Sequence, residues 1–403
     1  RLMKMGYVAA VISVAMAGPL LFGDVGSTGE GLRRVGDYLV SHQMQTGDDT
    51  GGWPEEVVFT GAIGAGLAAA YGHTCECSYG MAAISGGVLV ELYTGGYYGY
   101  GDEAYLIALI SRGIEASVPN LWSEALARFY ENVRLGEGGT PGFIAYYETG
   151  TEPSTAVYYL AMHAVAAHAA DATDKALWRQ AVIKYLSRVS DDTADWPVLA
   201  LGIATWALAE TGPLDATLVD ADGTGEAIWE DVTLADLPGL LLSHQVAEGS
   251  GCAAGSFYWR FDHTTAGGPP PGYGFTEDTV FGAMGLAAAA ARHDLPLVWQ
   301  GAVRAREALV RGIREDGSVW GHLCEDSPPR FLYAGEMLLA LSELVTPGDL
   351  DLNDRVDLLD LADLSRCWKG ETSDCECARA DLDGDSAIDL DDLMILAKHW
   401  LAE

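Results

Sequence analysis

The sequence predicts an all-α protein: an α6/α6 (α/α) toroid of six helical hairpins followed by a small helical module that binds calcium. Two observations carry the toroid. Twelve apolar stretches with helical period fill most of the chain, and they alternate between amphipathic and almost uniformly apolar. A third observation carries the module: two acidic loops of matching pattern, 32 residues apart, lie near the C-terminus.

The helical stretches fall near 31–43, 60–71, 78–92, 103–113, 121–133, 155–170, 174–188, 194–210, 234–245, 279–293, 298–313 and 331–345. Within a pair the first is charged on one face, as in Leu121 to Glu131 and Leu297 to Arg311. The second is small and apolar all round, as in Gly61 to Ala70 and Val280 to Ala291. An amphipathic helix belongs on the outside and an all-apolar one must be surrounded by others, so the pairs form two concentric rings of six. Thr60, Thr155, Thr193 and Thr279 recur where apolar helices begin, often after Ser or Asp, and are expected to cap the free backbone N–H groups there.

The net charge of −35 over 403 residues argues against a nucleic-acid or anionic-membrane partner, since both reward Lys and Arg. Residues Met3 to Ala17 combine Lys4, an apolar run from Tyr7 to Met16 and the small-residue site Ala15-Met16-Ala17. That is the pattern of a cleaved signal peptide, residues 1–17, and it places the mature protein outside the cell and free of the membrane. The toroid then occupies residues 24–345, and Thr346-Pro347-Gly348 joins it to the module at 347–403. The sequence contains seven cysteines. In an exported chain disulfides are the default, with one thiol left over, and Cys367 is expected to pair with Cys375 or Cys377.

The first acidic loop carries Asp349, Asp351, Asn353, Asp357 and Asp360, and the second Asp381, Asp383, Asp385, Asp389 and Asp392. Both place oxygens at loop positions 1, 3, 5, 9 and 12, put an aliphatic residue (Val356, Ile388) at position 8, and run on into a leucine-rich helix. A twelve-residue loop of this kind wraps Ca²⁺, a hard cation that takes six to eight oxygens, so two calcium ions are expected. Position 6, usually glycine, is Asp354 and Ser386. Asp tolerates the left-handed conformation better than Ser, which makes the second loop the more strained. Paired loops ending in Asp, each followed by one helix, resemble a type I dockerin, which implies a cohesin partner. Clostridial dockerins usually carry a Ser/Thr pair at positions 10 and 11, where this chain has Leu358 and Leu359, then Leu390 and Asp391.

In the first hairpin Arg34, Tyr38, Leu39, Gln43 and Gly51-Gly52-Trp53 resemble the QW-type repeat of terpenoid cyclases and prenyltransferase-like toroids, with echoes at Ser243-His244-Gln245 and Gly317-Ser318-Val319-Trp320. The resemblance implies the toroid but no particular chemistry, because the fold hosts cyclases, prenyltransferases, lyases, glycoside hydrolases and non-catalytic modules. Asp191-Asp192-Thr193-Ala194 is similar to the end of the DxDDTA motif of squalene-hopene cyclases, but Val189 replaces its first Asp. Glu277-Asp278-Thr279-Val280 occupies the same place in another repeat, which favours helix capping over alkene protonation. His73-Thr74-Cys75-Glu76-Cys77 is similar to a zinc-binding segment of protein prenyltransferases, although the matching Asp-x-Cys is missing; a disulfide is the competing reading.

The loops entering the apolar helices collect carboxylates and aromatic residues. Aromatic faces bind the apolar sides of sugar rings, and two carboxyl groups at suitable separation hydrolyse a glycosidic bond. The expected function is therefore that of a polysaccharide-active enzyme, a hydrolase or lyase. Asp191 or Asp192 with Glu277 or Asp278 are the candidate acid and base, and Trp53, Tyr98, Trp196, Trp259, Arg260 and His263 the candidate substrate contacts. A lyase would use Arg260 and His263 as cation and base. The alternative is a non-catalytic glycan- or protein-binding module. An open cleft with facing carboxylates distinguishes the enzyme from a cavity plugged by Ala, Leu and Met.

Overall fold

A computed structural model describes residues 26–114, 121–132, 143–148, 151–265, 272–293, 295–324, 327–368, 375–383, 385 and 387–400. The expected signal peptide and Ser386 lie outside the described residues.

The outer ring begins with α1 (Thr28–His42), which starts where the Ser27 hydroxyl accepts the Glu30 N–H at 3.2 Å. Its apolar residues Leu32, Val35 and Leu39 follow the helical period and are buried, while Arg33, Arg34 and Asp37 face outward. The inner ring begins with α2 (Thr60–Thr74), whose residues from Thr60 to Ala68 are all buried, whichever face they lie on. The pattern repeats. Outer α3 (Cys77–Thr94), α5 (Leu121–Asn132), α8 (Lys175–Leu186), α10 (Leu237–Ser243) and α12 (Pro296–Gly312) alternate with inner α4 (Gly101–Gly113), α7 (Pro153–Ala169), α9 (Pro197–Thr211), α11 (Thr276–His293) and α13 (Phe331–Glu343). Helix α6 (Phe143–Glu148) is a short extra piece before α7 that the sequence reading did not anticipate, being too short to show a period. Each inner helix packs on the next, and α13 returns to pack on α2, which closes the ring. Among the described residues β-structure is limited to isolated bridges.

All twelve expected segments are helices, with local shifts at their starts. Helix α9 begins at Pro197, three residues after the expected start, because proline with its fixed φ is favoured at the first helical position. Helix α10 is shortened to Leu237–Ser243 by a 3₁₀ turn, Leu234–Asp236, that Thr233 and Asp236 cap reciprocally. Helix α11 starts a turn early at Thr276, so Thr279 lies inside its first turn.

The glutamines of the repeat motif are struts. Gln43 Nε2 donates to Gly51 O and to Ala82 O of α3, both at 2.8 Å. In the same way, Gln245 Nε2 donates to Gly255 O at 2.9 Å and to Gly301 O of α12 at 2.8 Å. Each glutamine thus ties the loop leaving one outer helix to the next outer helix.

Ring closure depends on bare backbone. A Cβ on Gly66 of α2 would lie 2.0 Å from Gly335 O of α13, and one on Gly335 would lie 2.5 Å from Ile63 Cα. The two helices therefore touch through their main chains. The C-terminal module consists of α14 (Leu358–Cys367), the short α15 (Cys375–Ala378) and α16 (Leu390–Trp400) around Leu350, Val356, Leu364, Ile388 and Leu396. Disulfides join Cys252 to Cys324 and Cys367 to Cys377; Cys75 is also disulfide-bonded, which removes it as a zinc ligand, and Cys77 is free and exposed.

Gly66→Ala is expected to destabilise the toroid by about 2 kcal/mol through overpacking, although alanine is the better helix former. Chemical denaturation of the full chain, with exposed Gly72→Ala as the control in the same helix, checks this.

Candidate functional site

The N-terminal ends of the inner helices meet at one mouth of the toroid. They enclose a cavity of about 340 Å³ lined by Phe59, Asp102, Ser154, Thr155, Tyr158, Tyr159, Trp196, Leu199, Glu277, Arg330, Leu332, Tyr333 and Glu336. Every helix start presents backbone N–H groups without intrahelical partners and the positive end of a dipole, so carboxylates gather there.

Most of these carboxylates bind backbone. Glu56 accepts the Leu332 N–H of α13 at 2.7 Å and Arg330 Nε at 2.8 Å. Burial opposes the Arg330 charge, but its hydrogen bond to Glu56, together with Tyr333, outweighs it and holds the guanidinium above its usual pKa. Glu152 accepts the Ser154 and Thr155 N–H groups of its own helix, each at 2.8 Å, and reaches Asp195 N at 3.0 Å. Burial acts against its charge, and these bonds overcome that to lower its pKa. Asp102 is raised to about 6 by burial, moderated by backbone bonds that include Ala62 on α2. Glu103, raised to about 8 by burial and by Asp102, accepts the Tyr100 N–H at 3.2 Å. Asp278 is buried and raised well above the carboxylate range, with Leu199 of α9 among its backbone donors.

Glu277 and Glu336 differ. Burial raises Glu277 to about 7, opposed by Arg330 and assisted by Glu56, with no backbone donor contributing. Glu336 is 1% exposed, and burial followed by the charges of Glu277 and Asp102 pushes it well above its ordinary value. The Tyr158 hydroxyl donates to its Oε1 at 3.4 Å, while its Oε2 is buried without a hydrogen-bond partner. Two carboxyl groups whose proton affinity is raised by burial thus line the cavity.

Of the residues singled out from sequence, the cavity brings together Glu277 and Trp196, the latter 43% exposed. Asp278 lies behind the wall. Asp191 accepts Phe261 N at 2.9 Å and Asp262 N at 2.8 Å and stands 3.8 Å from Arg260 Nε, which pins the insertion before α11 to the loop before α9. Asp192 is exposed beside it. Trp53 is fully buried, with Nε1 donating to Leu39 O at 2.9 Å, and Tyr98 is buried with its hydroxyl on Glu91. Trp259 is 8% exposed, and His263 lies 2.9 Å from His244 and stacks on Tyr258. None of these last residues lines the cavity. Glu336 was not singled out from the sequence. Its signal is a lone carboxyl in the apolar first turns of an inner helix, FLYAGEMLLALSE.

In the C-terminal module the two acidic loops fold alike. The position-12 carboxylates accept equivalent N–H groups, Asp360 from Leu350, Asp351 and Asp357, and Asp392 from Leu382, Asp383 and Asp389. Asp349, Asp351 and Asp360 form one group whose oxygens could share an ion, and Asp381, Asp383 and Asp385 another. Burial raises Asp349 to about 7, and Asn353 Oδ1 is buried without a partner. Hard oxygen donors crowded and desolvated in this way fit Ca²⁺. Asp354, at the position that usually holds glycine, is left-handed with φ 69°.

The twelve toroid helices and their carboxylate-lined mouth define the fold as an α/α toroid. Residues 347–401 match the dockerin type I domain, so the chain ends in that module. An inactive variant of an alpha-1,6-mannanase of Salegentibacter sp., in complex with alpha-1,6-mannotriose, is similar in structure, with TM-score 0.50 and 14% identity over 79% of this chain and 99% of that one. The Lin0763 protein from Listeria innocua (TM-score 0.48, 12% identity, 79% and 97% covered) and a possible member of the GH105 family from Salmonella enterica (TM-score 0.48, 14% identity, 81% and 97% covered) are also similar. No curated protein matches the chain in sequence. No helix among the described residues is long and apolar enough to cross a membrane.

Asp102, Glu103 and Glu277 have folded-state pKa values of about 6, 8 and 7, above their unfolded values, so the native state binds their protons more tightly. Their stabilisation is full below about pH 4 and is lost as pH rises through those values. In saturating calcium the thermal midpoint of the full chain should therefore fall between pH 5 and pH 9, and Glu103→Gln should flatten the decline. A midpoint rising over that range contradicts these assignments.

Proposed function

We propose that the toroid is a glycoside hydrolase acting on a neutral polysaccharide, and that it is exported and held on a cohesin-type partner by its dockerin. The observation that carries the reading is the pair Glu277 and Glu336, the two cavity carboxyl groups that are not drawn into capping backbone. Glu336, kept protonated by burial, is suited to donate a proton to the glycosidic oxygen. Glu277, with a pKa of about 7, is suited to receive one from water or to attack the sugar carbon. Trp196 offers an exposed ring face to the sugar, and Tyr158, Tyr159 and Tyr333 supply hydroxyls along the wall.

Charge favours hydrolysis of a neutral chain over elimination on a uronate. The cavity holds several carboxyl groups, and its Arg330 is already engaged by Glu56. Arg260 and His263, the residues a lyase would have used, lie outside it. Leu199 and Leu332 are the aliphatic residues of a lining otherwise made of carboxyl, aromatic, hydroxyl and guanidinium groups, which favours an enzyme over a binding module. Disulfides and the dockerin support an extracellular setting. In the dockerin, Asp349, Asp351, Asn353, Asp360 and their counterparts from Asp381 to Asp392 would hold calcium, whose charge fixes the loops in their folded form. The exposed Leu358, Leu359, Leu390 and Met394 at the starts of the two helices offer an apolar face to the partner.

The full chain is expected to release reducing ends from neutral polysaccharides and no unsaturated product from uronic-acid polymers. Glu277→Gln and Glu336→Gln should each lower release by about 10²–10⁴-fold, with Asp192→Asn unchanged. Unsaturated products would make it a lyase, and silence with retained glycan binding would make it a binding module. Chelation should melt the dockerin signal while most helical circular dichroism remains.

A further inference from the structure

The first calcium loop does not hang from a free linker. Leu352, at loop position 4, is 2% exposed and belongs to the apolar core of the toroid. Asp354, at position 6, accepts the Thr28 N–H at the start of α1 at 2.9 Å and stands 3.4 Å from Arg306 of α12. Gly29 of α1 is the seat of this contact: a Cβ there would lie 2.5 Å from Leu352 Cβ and 2.6 Å from Leu352 O. A second tie links the module to the toroid, with Arg379 Nη1 donating to His73 O at 2.6 Å.

The residues so anchored are the ones whose backbone is unfavourable. Leu352 and Asp354 have φ of 63° and 69°, a region that side chains other than glycine rarely adopt. Position 6 normally relies on glycine for this turn. Here the side chain of Asp354 points away from the loop centre and is held by the toroid, and Leu352 is held by burial. In the second loop Asp383, Asp385 and Asp389 are exposed.

We propose that the toroid surface formed by Gly29, Thr28 and Arg306 acts as the missing glycine of the first calcium loop: it preorganises the loop for the ion, so calcium at this loop and docking of the module on the toroid stabilise each other. Linkage is reciprocal, so a change on α1, which supplies no calcium ligand, alters calcium affinity, and calcium strengthens the toroid.

The test uses the full chain carrying Asp381→Ala, which removes the position-1 carboxylate of the second loop, with calcium alone as the titrant in calorimetry. Gly29→Ala favours the helix but pushes on Leu352, and it should weaken calcium binding by about tenfold; Leu352→Ala, which withdraws the anchor, should do the same if Gly29→Ala does not fold. Calcium should also raise the temperature of the main helical transition in the parent and raise it less in the variants. Calcium affinities within about twofold of the parent in the folded variants, or a main transition indifferent to calcium, would overturn the proposal.

Discussion

Everything at the mouth of this toroid follows from one constraint: the N-terminal ends of the inner helices converge there. Each end brings several N–H groups that the helix cannot satisfy and a positive dipole end. Carboxylates answer that demand, and they do so across repeats. Glu56 binds Leu332 on the last inner helix, Glu152 reaches Asp195, and Asp278 is served by Leu199. This exchange of caps locks neighbouring hairpins together and makes the cavity acidic before any chemistry is considered.

The same constraint separates capping acids from the proposed catalytic ones. Backbone and hydroxyl donors outweigh burial at Glu152 and only moderate it at Asp102 and Asp278, whereas a carboxyl group without backbone donors meets burial unopposed by them. Glu277 and Glu336 belong to the second kind. Their elevated proton affinities come from desolvation and proximity together, which is how a protein obtains an acid and a base of different strength from one residue type.

The helical architecture was legible in the sequence because period and burial are local properties: a stretch such as TGAIGAGLAAAYGHT is apolar on every face, and only an inner position satisfies it. The dockerin loops were legible because their ligand spacing is fixed within twelve residues. The proposed pair was only half visible. Glu277 announced itself beside Asp278 and Thr279, but its partner Glu336 sits 59 positions later, hidden in an apolar helix. Asp191 carries an acidic motif whose partners, the N–H groups of Phe261 and Asp262, lie 70 and 71 positions away, and no local pattern encodes that. Trp53 and Tyr98 lie near the mouth in sequence, yet each has a polar partner inside the fold, Leu39 O and Glu91, that lets the ring remain buried.

The central claim is that Glu277 and Glu336 act on a neutral sugar seated against Trp196. A crystal structure of the Glu277→Gln variant soaked with a neutral oligosaccharide tests it most directly. A glycosidic oxygen is expected within hydrogen-bond distance of Glu336, with a sugar ring on the Trp196 face. Sugar bound only outside this cavity, or bound within it away from both carboxyl groups, would contradict it.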